Sequence, residues 1–351
     1  MSPPETPPGR VRLRPTAAGD LPGLAGLFAG GFGHPLSPEE GEWKYRRLPG
    51  ESRSWVAVDG TGGVLAHAGA LRLSARLRPV ASGGAAVSGE TAPTSTDCGI
   101  WQLTDWVGSA TGVGLRPPLV ALGRGMLADL PGPDDAPWIF GFPSERHLRL
   151  GERVFGYRRL PAIMPLAGDL TGAAEPERPA AGTAVGVSDH CDGWAEAAWE
   201  ACAIASVRRS AAFLNWRYHA RPGRYYRFYR LPRTGPARPD GGGAEGLAVF
   251  AFVGRLARGT ELWLPPAEDP RRAWGPALRA VARDLAGAGL ERWELWPPPV
   301  GAGLAPLLRE LGLRPAVEPV VMGCRGRDGA TAGPSPADPG FHYSMGDFDL
   351  A

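Results

Sequence analysis

Lysine is almost missing: Lys44 stands alone, and arginine supplies the rest of the 38 basic residues. Together with the excess of Ala, Gly and Pro, this marks a GC-rich coding sequence of bacterial type, so a single arginine carries little functional information. Cysteine is scarce. Cys98, Cys191, Cys202 and Cys324 lie far apart with no C-x-x-C pair, which argues against a disulfide framework or a zinc site and suits a reduced, cytoplasmic setting. No run of 18 apolar residues occurs, so no membrane span is expected. The Pro-rich start, Met1 to Gly9, has no apolar stretch and does not read as a signal peptide. Charge surplus is missing as well: 38 basic against 36 acidic residues leave a net +2, too balanced for the basic stripe of a nucleic-acid partner. Neither a G-x-S-x-G elbow nor a kinase loop is present, and no metal-ligand spacing is visible.

What is abundant is glycine and proline, 51 and 38 of 351 residues. They show no G-x-y period, which excludes collagen and assigns the excess to loops and linkers. With 43% hydrophobic and 21% charged residues, the chain can bury a sizeable core, and its length suggests two domains.

The sequence repeats itself. Trp43-Lys44-Tyr45, then Pro49-Gly50, returns as Trp216-Arg217-Tyr218, then Pro222-Gly223, at the same internal spacing. Two strand-like runs follow each motif: Ser54 to Asp59 and Val64 to Leu77 in the first half, Tyr225 to Leu231 and Gly246 to Val253 in the second. Ile100 to Val107 and Thr260 to Leu264 are the next strand candidates, each leading to a helical stretch, Val113 to Leu130 and Arg271 to Ala288. In the latter, Ala273, Ala277, Leu278, Val281 and Leu285 fall on one helical face. Each half then has a strand running into proline (Trp138 to Pro143, Trp293 to Pro297) and a short helix closing at glycine (Gly156, Gly312). This order predicts a tandem duplication. Residues 1–9 read as a disordered start, 10–165 as the first domain, 166–188 as a linker, 189–325 as the second domain, and 326–351 as a linker with an acidic tail.

One unit thus reads helix, three strands, helix, strand, helix, strand, with Gly112-Val113-Gly114 opening the helix after the third long strand. This order resembles the GNAT acyltransferase fold, and the Trp-Lys-Tyr, Gly-Phe-Pro and Phe-Gly-Tyr segments look like a bacterial subgroup of tandem GNAT proteins, several of them associated with polysaccharide clusters. The resemblance implies an α/β fold of two tandem units, each a mixed central sheet flanked by helices. It implies acetyl-CoA, or another acyl-CoA, as co-substrate without a metal. It also implies direct transfer to an amine of a small molecule or amino sugar, with no nucleic acid or membrane partner. A glycine-rich helix start offers free N–H groups and a partial positive charge to the CoA diphosphate. By that analogy Trp106, Val107, Ser109, Thr111, Gly112, Val113, Gly114, Leu115 and Arg116 form the cofactor-binding segment.

The sequence departs from the family pattern in three places. Ser109 stands where Arg or Gln is usual and Thr111 where a basic residue is common, with Arg116 a candidate replacement for the lost charge. Glu152 occupies the position of the usual tyrosine acid. The second unit has Leu264-Pro265-Pro266-Ala267-Glu268-Asp269-Pro270 in place of the glycine loop, and its acids would repel phosphate. The second unit is therefore expected to wall the acceptor pocket without binding CoA.

For catalysis the candidates are Asp105, at the expected end of the strand before the loop, His147 and Tyr157. For substrate binding they are Glu90, Asp97, Ser144 and Asp347. Most of these have a structural reading beside the functional one. Ser144 fits a helix N-cap, Tyr157 fits core packing, and Asp347 with Asp349 fits an exposed tail. His67 reads as a packed histidine, and the two Trp-x-Tyr motifs as packing one helix on the sheet. Two other functions stay open: a non-catalytic GNAT-like module, and an aminoacyl-tRNA-using transferase.

Overall fold

The computed structural model describes residues 11–77, 96–109, 116–131, 136–170, 185–234, 245–297, 304–316, 318–326, 335–336 and 341–348. The first unit comprises β1 (Arg12–Pro15), α1 (Leu21–Phe32), α2 (Pro38–Arg46), β2 (Ser52–Val58), β3 (Val64–Leu77), β4 (Thr96–Gly108), α3 (Arg116–Asp129), β5 (Trp138–Gly141), α4 (Glu145–Val154) and β6 (Arg158–Arg159). Next come β7 (Leu166–Asp169), β8 (Gly186–Ser188), α5 (Gly193–Cys202), β9 (Ala205–Val207) and α6 (Ala211–Leu214), which runs into a π-helical turn, Asn215–His219. The second unit continues with β10 (Tyr226–Leu231), β11 (Gly246–Val253), β12 (Leu256–Trp263), α7 (Pro270–Gly287), β13 (Arg292–Leu295), α8 (Leu304–Glu310) and β14 (Arg314–Pro315). The chain closes with β15 (Gly323–Gly326), β16 (Phe341–His342) and α9 (Met345–Phe348).

Local chemistry accounts for the helices that matter to the site. Ser37 caps α2, its Oγ accepting the Glu40 amide at 3.1 Å, with Pro38 at the first helical position and Glu39 and Glu40 in the first turn. Ser144 caps α4 in the same way through the His147 amide at 3.4 Å. In α7 the predicted face is buried: Ala273, Ala277, Leu278, Val281 and Leu285 pack on the second sheet.

Two mixed sheets form. The first has the order β1-β2-β3-β4-β5-β15-β6, with β9 attached to β3 and β16 to β9; the second has the order β8-β10-β11-β12-β13-β7-β14. Each contains one parallel pair on this path, β4 with β5 and β12 with β13. The units exchange strands. β7 leaves the first unit and inserts between β13 and β14 of the second sheet. β15 leaves the second unit and inserts between β5 and β6 of the first. The segment 166–188, expected as a linker, therefore carries sheet strands at both ends. Residues 323–325, expected in the second domain, and Gly326, expected in the linker after it, complete the first sheet. Four-residue strands such as Leu166–Asp169 and Gly323–Gly326 carry no alternation long enough to reveal a partner strand.

The repeated motifs meet at the unit boundary. Trp43 and Trp216 stack with centroids 5.1 Å apart and planes at 16°. Each indole N–H donates to the other's backbone carbonyl, at 2.6 and 2.9 Å. Both rings are buried in one apolar cluster drawn from the two units. The tail is not exposed: β16 pairs with β9 in parallel and α9 packs on β12. No helix among the described residues is long and apolar enough to cross a membrane.

Candidate functional site

Pairing between β4 and β5 ends at Leu103 opposite Gly141. Beyond it β4 runs on to Gly108, while the segment after β5 turns through Phe142 and Pro143 into α4. Proline has no N–H for the ladder, so pairing stops there and the strands part. Two cavities fill the gap. The outer one, about 940 Å³, lies between Val107 and Gly108 of β4, Leu119 of α3 and Arg146, Arg149 and Arg153 of α4. The inner one, about 400 Å³, lies between β4 and Phe142, Pro143, Ser144, His147 and Tyr157. Gly31, Phe32, Trp106 and His147 border both.

A bulge shapes β4 here. Thr104 pairs with Gly69 and Val107 with His67, so β4 takes three steps against two on β3. Asp105 sits in the bulge with φ of +52°, a left-handed conformation uncommon outside glycine, asparagine and aspartate. Its carboxylate is turned away from the cleft. Lys44 Nζ is 2.7 Å from both carboxylate oxygens, each side chain is 1% exposed, and the Tyr45 hydroxyl donates to Oδ2. The His67 ring donates from Nδ1 to the Asp105 carbonyl at 3.2 Å. Gly69 is what leaves room for Tyr45: a Cβ there would lie 2.7 Å from its Cε1 and Oη. Burial pushes the Lys44 ammonium below its ordinary value and the Asp105 charge pulls it back up. Burial also pushes His67 down to about 4, so that ring is neutral.

The candidate residues are thereby sorted. Asp105, His147 and Tyr157 border one cavity, as does Ser144. Asp105, however, lies inside the strand and not at its end, and it presents backbone to the cleft while its carboxylate anchors the bulge. His147 stacks on Trp106 with planes at 16°, and burial together with Arg146 lowers its pKa. Tyr157 Oη is buried without a hydrogen-bond partner among the described residues, and burial raises its pKa. Ser109 follows β4, and its amide donates to the Leu65 carbonyl at 2.8 Å, so that N–H is already used. Arg116 opens α3. Glu90, Thr111, Gly112, Val113, Gly114 and Leu115 lie outside the described residues.

Two expected binding residues are elsewhere. Asp97, the second residue of β4, lies on the surface 3.3 Å from Arg208. Asp347 is 1% exposed and paired with Arg209 at 2.8 Å in the second unit, because burying the tail required a cationic partner for it. Sequence reasoning missed Lys44 and Tyr45 as partners of Asp105. Their signal was the single lysine of the chain inside the repeated motif.

The second unit repeats the anchor. β12 has its own bulge at Thr260, and Glu261 stands five residues after the first β12–β13 pair, as Asp105 does after the first β4–β5 pair. Tyr218, the counterpart of Tyr45, donates to Glu261 at 2.6 Å. Arg209 holds both Glu261 (2.9 Å) and Asp347 (2.8 Å), and Arg217 donates to the Gly346 carbonyl at 3.0 Å. The chain's own residues 344–347 thus occupy the place beside this bulge.

Among the described residues no group of His, Cys, Asp and Glu could hold a metal ion. No family model and no curated relative matches the chain. Solved structures do. A GCN5-related N-acetyltransferase from Kribbella flavida superposes with a TM-score of 0.59 at 12% identity, over 91% of this chain and 73% of its own. A glucosamine N-acetyltransferase region of a fungal multi-domain β-N-acetylglucosaminidase gives 0.57 at 14% identity, over 91% and 38%. A tandem GNAT protein from the clavulanic acid biosynthesis pathway gives 0.55 at 17% identity, over 91% and 99%. The chain has the GNAT fold in its tandem, two-unit form.

Proposed function

We propose that the first unit is an acyl-CoA-dependent N-acyltransferase working in the cleft between β4 and β5. The carrying observation is the pair of cavities that meet at Trp106 and His147. An acyl-CoA supplies a thioester and a phosphate-bearing handle. The outer cavity fits such a handle through α4, where Arg146, Arg149 and Arg153 share one face at helical spacing. One acid on the same helix offsets part of this charge: Glu145 accepts from Arg149 Nε at 3.2 Å. Glu145 and Glu152 both bond Arg159, which holds the Glu145 carboxyl down at about 2. These arginines take the role of the loop base that Ser109 and Thr111 lack.

His147, neutral at pH 7, takes a proton from the attacking amine as its nitrogen bonds the acyl carbon. Tyr157, whose raised pKa keeps its hydroxyl protonated, gives a proton to the sulfur as the carbon–sulfur bond breaks. The β4 bulge aims backbone into the gap where the carbonyl oxygen gains charge. The second unit supplies β15, whose Gly323 borders the inner cavity. The test is a thermal-shift titration with acetyl-CoA, in which ligand at 100 times its Kd stabilises by about 2.7 kcal/mol. No shift at millimolar ligand, or an equal shift after Arg146, Arg149 and Arg153 are all changed to serine, overturns the assignment. Binding without CoA release for any amine would leave a non-catalytic module.

A further inference from the structure

We infer that the acceptor is an amine carried on an apolar or aromatic body, and not a polyamine or amino sugar; this rests on the acyltransferase reading above. The inner cavity is walled chiefly by Phe32, Leu103, Trp106, Phe142, Pro143 and Leu148. Asp105 is the one acid among the described residues that border it. Its carboxylate is 1% exposed and committed to Lys44 and Tyr45. A polycation entering this space would lose water without meeting a free carboxylate, a heavy desolvation cost. A sugar would likewise leave several hydroxyls against rings and methyl groups. Beside Asp105 the polar side chains that border it are few: Gln102, Thr104, Ser144, His147 and Tyr157, and Gln102 is committed to the Asp347 carbonyl. They suit a single amine and the thioester, with His147 at the junction of the two cavities.

Volume decides what lies beyond that junction. The inner cavity, about 400 Å³, would hold roughly a dozen waters. An acetyl group, with three non-hydrogen atoms, fills only a small part of it. The donor's bulk lies in the outer cavity with the arginines, so the remaining apolar space belongs to the acceptor. Its wall includes the exchanged strand β15 through Gly323, so the second unit takes part in choosing the substrate.

The experiment measures thiol release from acetyl-CoA by the full chain with phenylethylamine, hexylamine, spermidine and glucosamine, alongside the acetyl-CoA thermal shift. The expected result is a kcat/KM for the two apolar amines at least tenfold above spermidine and glucosamine. Leu103→Asp should lower phenylethylamine turnover at least tenfold while the acetyl-CoA shift stays as in the unchanged protein. Preference for spermidine or glucosamine overturns the inference, as does acetyl-CoA binding with neither turnover nor a further thermal shift from phenylethylamine. Octanoyl-CoA used more than tenfold better than acetyl-CoA also overturns it, because the chamber would then hold the acyl chain. Failure to bind acetyl-CoA at all sinks the acyltransferase reading itself.

Discussion

Replacing Lys44 by methionine keeps the length of the side chain and removes its charge, which isolates the electrostatic part of the Asp105 anchor. In the native chain both partners are 1% exposed and 2.7 Å apart. Without the ammonium, the Asp105 carboxylate stays buried with the Tyr45 hydroxyl as its one side-chain donor among the described residues. Removing one partner of a buried ion pair costs about 3–5 kcal/mol, a large share of the ~5–15 kcal/mol that holds a typical fold together. At roughly 2 °C per kcal/mol for a chain of this size, the midpoint should fall by roughly 6–10 °C. The Asp105→Asn change should cost less. It strands a lysine whose pKa burial already pushes down, and a neutral amine needs no counter-charge, so this variant should regain stability as pH rises toward 9. The Lys44→Met/Asp105→Asn double variant buries no charge and should be less destabilised than Lys44→Met alone. Urea denaturation of the four proteins at 25 °C reads all three comparisons. If Lys44→Met loses under about 1 kcal/mol, or the two costs simply add, the anchor is not an electrostatic unit and the argument for it is wrong.

His147 as base predicts a rate that falls on the acid side, with the inflection below the ordinary imidazole value of about 6.5; His147→Gln should abolish that limb in a pH profile of kcat/KM. Single changes of Arg146, Arg149 or Arg153 to alanine should each weaken acetyl-CoA binding about two- to fivefold, as expected of exposed ion pairs, and added salt should shrink the difference in a calorimetric titration. His67 is held near 4 when folded and titrates near 6.5 when unfolded, so the unfolded chain binds the extra proton between those values and stability falls as pH drops through that window. The loss is roughly 3 kcal/mol, and His67→Gln should flatten that slope in urea melts at pH 7.5 and 4.5. Gly346→Ala should destabilise the tail without touching acetyl-CoA binding, since a Cβ there would collide with Tyr218 and Glu261; limited proteolysis after residue 336 reads the release.

Much of this architecture was legible because local signals agreed with one another. The helical face of α7, the Pro143 and Pro297 strand ends and the Trp-x-Tyr repeat all follow from spacing and residue type. Ser144 read as a cap is a cap. What stayed hidden is non-local. Nothing in Leu166 to Asp169 says that it pairs with β13 and not with the strands before it. An aspartate near the end of an apolar strand does not disclose that its carboxylate faces backward onto a lysine 61 residues earlier. The acids of the tail looked solvated, because the cation that neutralises Asp347 comes from Arg209, 138 residues away.

The buried tail ties the bulge of the second unit to the cavity wall of the first. Both units carry a bulged central strand with an acid held by the motif tyrosine, Asp105 by Tyr45 and Glu261 by Tyr218. In the first unit the cation is Lys44, from the same motif, and it occupies the acid completely. In the second the cation is Arg209, whose fork reaches past Glu261 to Ser344 and Asp347. A planar guanidinium can bridge two carboxylates where an ammonium serves as a point charge. That second arm ties residues 344–347 beside the second bulge. The same segment then turns toward the first unit, where Gln102 donates to the Asp347 carbonyl and Tyr343 packs on Phe140 and Phe142. Phe142 and Gln102 border the inner cavity of the first unit. A single arginine in the second unit therefore anchors the segment that braces the wall of the first unit's inner cavity.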